Sequence, residues 1–151
     1  MATEIEHKFL VQRDKLPRPL PGGKKIEQGF LSVAPVVRVR IVTKNRKSAA
    51  FLTIKGKGRR VRAEYEYPIP LSDARRLLKL CGTRLIRKIR RELGPWEVDE
   101  FLGRHKGLWL AELELKSARA RLPKTLPAWT GQEVTRDSRY ANSTMAVHGK
   151  P

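Results

Sequence analysis

The feature of this 151-residue sequence that most restricts its fold is an alternation of charged and apolar residues with a period of two. Side chains on a β-strand point to opposite faces in turn, so residues two apart share a face. In the segment EIEHKF, Glu4, Glu6 and Lys8 fall on one face, while Ile5 and Phe9 fall on the other. This spacing predicts a strand, since a helix would repeat its apolar residues every three or four positions.

Similar alternation through most of the chain predicts a protein built mainly from strands, with few helices. We expect strands near 3–11, 26–33, 36–43, 49–56, 61–69, 84–91, 96–101 and 108–116. Pro/Gly-rich connections are predicted over 14–24 and 117–131. Many antiparallel strands in a chain of this length favour one domain, residues 1–151, with a barrel or sandwich fold.

Two helices are predicted. The first covers 72–81, with Ser72 as its N-cap and an apolar stripe of Ala74, Leu77, Leu78 and Cys81. The second is expected near 136–147, where Tyr140, Thr144 and Val147 share a face.

The charged faces of several strands carry pairs of one sign. Arg38 with Arg40 is a cationic pair, and Glu112 with Glu114 is an acidic one. Like charges next to each other destabilise a sheet, so an ordinary solvated face usually mixes signs. Carboxylate pairs suit a divalent cation and Lys/Arg pairs suit phosphate oxygens, so the pattern points to a metal–polyphosphate complex. A solvated sheet face stays open as the alternative.

The formal net charge of +18 narrows the possible partners. A field of this size attracts polyanions such as nucleic acid, anionic membrane or polyphosphate. No apolar run approaches the ~20 residues of a membrane helix, and Glu4 and Glu6 stand where a secretory signal would be basic and then apolar. Cys81 is the single cysteine, which excludes an internal disulfide and a cysteine metal cluster. We therefore expect a cytoplasmic protein.

The segment EIEHK resembles the ExExK signature of the CYTH superfamily, the triphosphate tunnel metalloenzymes. Further segments that resemble the family, in its order, are QGFLS, RVRI, LTIKG, RAEYEYPIP, IRKIR, WEVDEF, GLWLAELEL and EVTRDSRYANSTMA. The resemblance implies an α+β fold, an eight-stranded antiparallel β-barrel that forms a tunnel, with a charged interior and a few flanking helices. It also implies that the apolar faces of the strands pack outward.

The resemblance also implies the roles of the charged residues. The expected ligands for Mg²⁺ or Mn²⁺ and the remaining acidic wall are Glu4, Glu6, Glu64, Glu66, Asp99, Glu112 and Glu114. The expected phosphate-binding residues are Lys8, Arg38, Arg40, Lys55, Arg62, Lys88 and Arg90. Glu6 or Glu114 would activate water, and Lys8 and Lys88 would act at the reacting phosphate.

The implied activity is metal-dependent hydrolysis of the terminal phosphoanhydride of a triphosphate, with inorganic tripolyphosphate as the first candidate substrate. A thiamine or nucleoside triphosphatase and a class IV adenylyl cyclase would use the same site. A non-catalytic polyphosphate or nucleic-acid binding protein is the remaining alternative. It is disfavoured because the paired carboxylates would repel a phosphate backbone. The sequence leaves a monomer and a homodimer equally open.

Residues outside the charged rows also lead to expectations. His7 should face away from the tunnel, and Phe30 stands where the family frequently has tyrosine. The three tryptophans, Trp96, Trp109 and Trp129, are expected in the core or at its rim.

Overall fold

The computed structural model describes residues 2–58 and 60–151, leaving aside the side chains of Ala2 and Glu4. In this part of the chain, nine strands and two α-helices are formed. The strands are β1 (Ala2–Val11), β2 (Lys24–Val33), β3 (Val36–Lys44), β4 (Lys47–Lys55), β5 (Val61–Ile69), β6 (Leu85–Leu93), β7 (Trp96–Phe101), β8 (Trp109–Glu114) and β9 (Thr130–Glu133). The helices are α1 (Leu71–Leu80) and α2 (Asn142–His148).

The strands form one antiparallel sheet in the order β5-β4-β3-β2-β6-β7-β8-β1-β9, and a further pairing of β5 with β1 closes it. Strand β1 makes the closure possible because its two halves have different neighbours. Residues 2–5 pair with β5, whereas Phe9 and Val11 pair with β9. The predicted eight-stranded antiparallel barrel of the α+β class is confirmed, with β9 added at one edge.

The predicted and observed elements differ in three places. Strand β9 lies at the end of the segment predicted as a connection, and its four residues are too few to show an alternation. Helix α1 starts at Leu71 with Pro70 as its N-cap, so Ser72 is inside the helix and the predicted cap was wrong. The last helix begins only at Asn142, because a 3₁₀ turn over Ser138–Tyr140 precedes it.

Apolar residues cover the outside of the barrel in two clusters. One cluster joins β1, β7 and β8 to the connections that cross them, and it consists of Phe9, Leu16, Trp96, Val98, Trp109, Ala111, Leu113 and Trp129. Trp96 packs edge-on against both Phe9 and Trp129, with ring centroids 5.5 and 5.4 Å apart. The other cluster packs Ala74 of α1 against Val39, Ile41 and Ala50. These contacts confirm that the apolar faces turn outward and that the tryptophans belong to the core.

A third apolar cluster fills one end of the barrel interior. It is formed by Phe30, Ile86, Phe101, Leu110, Val134, Met145 and Ala146. Ile86 shares its strand face with Lys88 and Arg90, and Leu110 shares its face with Glu112, so these apolar side chains continue the charged rows. The charged part of the interior therefore ends at this apolar cluster, on the side that α2 covers.

Among the described residues, no helix combines the length and apolar character needed to cross a membrane.

Candidate active site

The charged part of the barrel interior encloses a cavity of about 190 Å³. Seven Lys and Arg side chains line it, namely Lys8, Arg38, Arg40, Lys55, Arg62, Lys88 and Arg90. Six carboxylates also line it among the described residues: Glu6, Glu64, Glu66, Glu97, Glu112 and Glu114. The residues of each strand that reach the cavity are separated by two positions, as the alternation predicts.

A buried ion cluster on β6 and β7 forms one wall. Asp99, which is 1% exposed, accepts hydrogen bonds from Arg90 Nε at 2.8 Å and from Arg90 Nη2 at 2.9 Å. The ammonium of Lys88 lies 2.7 Å from the same carboxylate. Burial alone would raise the pKa of Asp99, but Arg90 and Lys88 outweigh it and lower that pKa to about 2.

Lys88 and Arg40 lie on the cationic side of the cavity. The protein does not supply enough nearby negative charge to offset the cost of burying their positive charges. Burial lowers the pKa of Lys88 from its ordinary value to about 7, in spite of Asp99, and Arg90 and Arg40 act in the same direction. The pKa of Arg40 is lowered well below its ordinary value by burial and then by Arg38 and Arg90. Both charged forms would gain from a nearby anion.

Two amides hold these cations in place. Arg40 Nε donates to the side-chain oxygen of Gln28 at 2.8 Å, and Gln28 Nε2 donates to the Asn142 side-chain oxygen at 2.9 Å. Lys88 Nζ donates to the same oxygen of Asn142 at 3.0 Å. The start of α2 is thereby connected to the cationic wall.

The acidic wall is formed where β1 pairs with β8. The register places Glu6 opposite Glu114 and Lys8 opposite Glu112. Lys8 Nζ lies 3.7 Å from the Glu112 carboxylate and donates to the carbonyl of Tyr140 at 3.1 Å. Burial would raise the pKa of Glu112, but Lys8, Arg90 and Lys88 together with a hydrogen bond to Glu6 hold it well below its usual range.

On the third wall, formed by β3 to β5, Arg38 and Lys55 each lie within 4 Å of a carboxylate. Arg38 donates to Thr53 Oγ1 at 3.2 Å, and Thr53 in turn donates to Glu66 at 2.9 Å. The ammonium of Lys55 lies 3.8 Å from Glu64.

Arg62, on β5 of this third wall, lies 4.0 Å from Glu6 of the acidic wall and so connects the two walls.

Three carboxylates of the cavity, Glu6, Glu112 and Glu114, are of the type that can coordinate a divalent cation. Glu6 and Glu112 lie within hydrogen-bonding reach of each other, and Glu114 faces Glu6 across the strands. Two carboxylates so close repel each other unless a proton or a cation lies between them. Within the described part of the chain, no three Asp, Glu, His or Cys side chains form a complete site on their own. A hard cation that takes one or two carboxylates and completes its shell with phosphate oxygens and water fits such a set.

Most of the predicted site residues therefore meet at one cavity. The side chain of Glu4 lies outside the described residues. Asp99 lies in the wall with its oxygens bonded to Arg90 and Lys88, so its predicted place among metal ligands stays a prediction. His7 faces outward as expected, with Nδ1 2.6 Å from the Glu133 carboxylate.

Sequence reasoning missed the cavity residues Glu97 and Asn142, and it missed Gln28, which is buried beside the cavity and accepts a hydrogen bond from Arg40. The parity of their strands could have indicated Gln28 and Glu97, since Gln28 lies two positions before Phe30 and Glu97 two before Asp99. Asn142 gave no such signal, because it reaches the cavity from the start of a helix.

Together, the closed barrel and its opposed rows of cations and carboxylates define a protein that binds a short polyanion inside an antiparallel β-barrel. No protein-family model matches the chain. The sequence is 40% identical to an inorganic triphosphatase from Acetivibrio thermocellus, over 96% of this chain and 94% of that protein. It is 31% identical to an inorganic triphosphatase from Nitrosomonas europaea, over 96% of this chain and 97% of the relative.

The fold comparison agrees with the sequence comparison. The crystal structure of the inorganic triphosphatase NE1496 superposes with a TM-score of 0.66 and 31% identity, covering 97% of this chain and 96% of that one. The chain therefore belongs to the CYTH, or triphosphate tunnel, family, as its sequence motifs indicated.

Proposed function

We propose that this protein hydrolyses the terminal phosphoanhydride bond of inorganic tripolyphosphate inside its barrel, with Mg²⁺ or Mn²⁺ as cofactor. The observation that carries the proposal is the convergence of seven cations and six carboxylates on one enclosed cavity. Two relatives of nearly the same length are named inorganic triphosphatases, which supports this substrate over others.

The phosphate chain is placed beside Arg40 and Lys88. Their pKa values are lowered by burial and by cationic neighbours, so a phosphate group there stabilises both charges. Arg38 and Arg90 flank this position, and guanidinium groups can contact phosphate oxygens through two parallel hydrogen bonds. Fixed cations at these oxygens also stabilise the charge that shifts to the leaving phosphate as the bond breaks.

One or two of the carboxylates Glu6, Glu112 and Glu114 would hold the divalent cation, and phosphate oxygens and water would complete its shell. When bound, such a cation neutralises phosphate oxygens and makes a coordinated water more acidic. Glu112 suits a ligand role because its lowered pKa keeps it ionised. The same low pKa makes it a weak base, so Glu6 or Glu114 is the better candidate to accept the proton of the attacking water.

The test is phosphate release from tripolyphosphate, pyrophosphate, ATP and thiamine triphosphate, each with Mg²⁺, Mn²⁺ or EDTA. We expect turnover of tripolyphosphate that EDTA abolishes and that Glu6→Gln reduces by at least a hundredfold, as expected for the loss of a group that acts in the transition state. Glu100→Gln is the matched control, because Glu100 pairs with Arg91 at 2.9 Å on the outer face of the barrel.

Three results would decide against the proposal. Inactivity on every substrate with either metal would point to a binding protein, and cyclic AMP formed from ATP would point to a cyclase. Equal loss in Glu6→Gln and Glu100→Gln would show that the barrel interior is not the site.

A cytoplasmic location is part of the proposal. The one cysteine, Cys81, is buried, and a chain that does not depend on disulfides suits a reducing compartment. For the oligomeric state, the proposal keeps both alternatives that the sequence left open, a monomer and a homodimer.

A further inference from the structure

The cavity does not account for the net charge of the protein. Among the described side chains, its seven cations are matched by its six carboxylates together with Asp99 in its wall. The formal net charge of +18 therefore belongs to the rest of the chain, outside the cavity. A surface of this charge attracts polyanions, so the place where cations gather without carboxylates indicates what the surface binds.

One end of the barrel combines cations with a lack of carboxylates. We call it the closed end, because the apolar cluster that includes Phe30 and Met145 fills the interior there. Residues 80–87, 102–107 and 145–151 meet at this end, and these three segments contain no Asp or Glu. Their Lys and Arg residues, which we call the closed-end cations, are Arg84, Arg87, Arg104, Lys106 and Lys150.

Hydrogen bonds hold the three segments next to one another. The carbonyl of Arg87 accepts a hydrogen bond of 2.9 Å from the start of the second segment. Arg104 donates to the carbonyl of Met145 at 3.2 Å, near the end of α2. Lys150 Nζ donates to the carbonyl of Lys106 at 2.7 Å. The closed-end cations therefore form one patch although they come from three parts of the chain.

The protein does not neutralise this patch. Within the described part of the chain, none of the closed-end cations has a carboxylate within 4 Å. Glu27 is opposite Arg87 in the sheet, but its carboxylate lies 3.5 Å from Lys25. In the cavity, by contrast, Lys88 and Arg90 lie 2.7 and 2.8 Å from a carboxylate. The closed-end cations are thus available to an external anion.

Aliphatic side chains protrude among these cations. Their exposed fractions are 70% for Leu80, 45% for Val33, 42% for Val147 and 39% for Leu85. Arg84 Nε donates to the carbonyl of Phe30 at 2.9 Å, which brings the end of β2 to the same place as the end of α1. A single exposed aliphatic residue is ordinary, but these are four of the seven large hydrophobic residues that the described part of the chain exposes. Their position among unpaired cations indicates a partner with an apolar layer beneath negative charge.

We propose that the closed end binds the surface of an anionic lipid membrane, with the opposite end of the barrel, where the charged cavity lies, facing away from the lipid. Lys and Arg side chains near such a surface are attracted by its headgroups. Aliphatic side chains beside them enter the boundary between headgroups and acyl chains. The proposal does not depend on the proposed function, and its readouts require no catalysis.

A nucleic acid fits this surface less well than a membrane does. Single-stranded nucleic acids usually stack their bases on aromatic side chains. The exposed aromatic residues of the described chain, Tyr65 and Tyr67, are on β5, outside the three segments of the closed end. Phosphates alone would also leave the protruding aliphatic side chains in water, whereas a bilayer removes them from it.

The experiment measures co-sedimentation with vesicles of phosphatidylcholine, with and without phosphatidylglycerol. The variant is Arg87→Gln/Lys106→Gln/Lys150→Gln. The matched control is Lys44→Gln/Lys116→Gln/Arg119→Gln, which removes the same charge from exposed residues at the other end of the strands, on the order of 20–30 Å away and at least two Debye lengths. Each Lys or Arg near an anionic surface is worth about fivefold in partitioning, so we expect the closed-end variant to bind phosphatidylglycerol vesicles about a hundredfold more weakly and the control to stay within fivefold of wild type.

A second variant tests the apolar part of the contact. Leu80→Gln/Val147→Gln removes two exposed aliphatic side chains without changing the charge, and Tyr67→Gln is its control on β5. Salt screens the cations but not apolar burial, so the loss in the aliphatic variant, about tenfold, should persist as salt is raised. The control should bind as wild type does. Urea midpoints equal to that of wild type would show that the variants are folded.

The orientation is tested with an environment-sensitive dye on a single introduced cysteine, since Cys81 is buried. On Val147→Cys the emission should shift to the blue when phosphatidylglycerol vesicles are added, and on Ser48→Cys, beside the turn between β3 and β4, it should not.

Four results would overturn the proposal. They are equal vesicle binding by the closed-end variant and its control, equal binding of wild type to vesicles with and without phosphatidylglycerol, a blue shift at Ser48→Cys but not at Val147→Cys, and a loss in the closed-end variant that appears with an RNA oligonucleotide or an acidic peptide but not with vesicles.

Discussion

Replacing Asp99 by Asn removes one negative charge from the interior of the barrel while keeping the shape of the side chain. In the native protein this carboxylate is the shared partner of two buried cations, with 2.8 and 2.9 Å bonds from Arg90 and a 2.7 Å contact to Lys88. The substitution leaves the positive charges of Arg90 and Lys88 buried without the negative charge of this carboxylate. We expect a loss of stability that depends on pH in a particular way.

The magnitude follows from the burial of the cluster. Removing one partner of a buried ion pair costs about 3–5 kcal/mol, since the remaining charge stays buried. At about 2–4 °C per kcal/mol for a chain of this size, the melting temperature should fall by roughly 6–20 °C. Lys88 moderates the effect, because its pKa of about 7 allows it to release its proton.

The sign of the pH effect comes from Lys88. Below pH 7 its ammonium is charged in the native protein, and Asp99 is among the groups that favour this form. Without Asp99 the pKa of Lys88 falls further, so folding at pH 6 carries the cost of deprotonating it or burying its charge. At pH 9 Lys88 is neutral in both proteins, and the variant should lose less, by up to about 1.4 kcal/mol, because only the fall of the pKa from about 7 to 6 has an effect at pH 6.

Urea denaturation at pH 6 and pH 9 measures both values. Glu97→Gln is the control, because Glu97 also accepts from Arg90, at 3.2 Å, but has a side chain that is 37% exposed. An exposed pair of this kind contributes no more than about 1 kcal/mol. The two substitutions thus remove a carboxylate from the same arginine at different depths.

Equal losses in Asp99→Asn and Glu97→Gln would refute the reasoning, and so would a loss that is the same at both pH values. Mn²⁺ affinity provides an independent readout. We expect it to be unchanged in Asp99→Asn, since both carboxylate oxygens are already bonded to cations. A large decrease would return Asp99 to the metal ligands that the family resemblance implies.

Four further predictions concern charge and packing. When tripolyphosphate binds at pH 8, the protein should take up a proton, because the anion raises the pKa of Lys88 from about 7. Calorimetry in buffers of different ionisation enthalpy measures this proton uptake, and Lys88→Gln should abolish it. Asp99 and Glu112 have folded pKa values below their ordinary ones, so their contribution to stability is present above pH 5 and is lost as pH falls from about 4 towards 2, a trend that urea midpoints would show. Arg38→Ala should raise the KM for tripolyphosphate about tenfold to a hundredfold, as for a lost hydrogen bond to a charged group, and leave Mn²⁺ affinity unchanged; a parallel loss of metal affinity would contradict the separation of walls. Trp129→Ala should cost about 3–5 kcal/mol of stability, since the indole is 7% exposed and packs on Trp96, while kcat well below the melting temperature stays the same.

The barrel was predictable because the alternation of residues along each long strand shows which side chains share a face. A charged face and an apolar face alternate along β1, β3 and β8, and each strand is long enough to repeat the pattern. Strand β9 has only four residues, Thr130–Glu133, none of which is buried. It forms because the second half of β1 has lost β5 as a neighbour, and that vacancy is a property of the closed barrel rather than of the β9 sequence.

The membership of the site was more predictable than its pairing. Alternation gives the face of Arg38 or Glu112, but the partner of each depends on cross-strand register, which sequence does not show. Asp99 is the clearest case, because an acidic residue on the interior face could bind a metal or hold a cation. The register places it opposite Arg90, which gives it a cation partner, and its role as a metal ligand stays a prediction.

The partial separation of cations from carboxylates in the cavity follows from the strand order. The cavity residues of β3 and β6, which flank β2, include four of the seven cations and no carboxylate, whereas β7, β8 and β1, which are neighbours, carry Glu97, Glu112, Glu114 and Glu6. Under the proposed function, a phosphate chain along the first group would lie against a metal along the second, whichever carboxylate accepts the proton. Exchanging one residue between the walls should for that reason be worse than deleting it. In Glu112→Lys a third ammonium would join Lys8 and Lys88, and we expect this variant to lose Mn²⁺ binding, whereas Glu112→Gln should only weaken it. Mn²⁺ titrations would distinguish these outcomes, provided that circular dichroism shows the two variants to be folded to the same extent. Equal Mn²⁺ affinities in the two variants would show that the separation of cations from carboxylates does not determine metal binding.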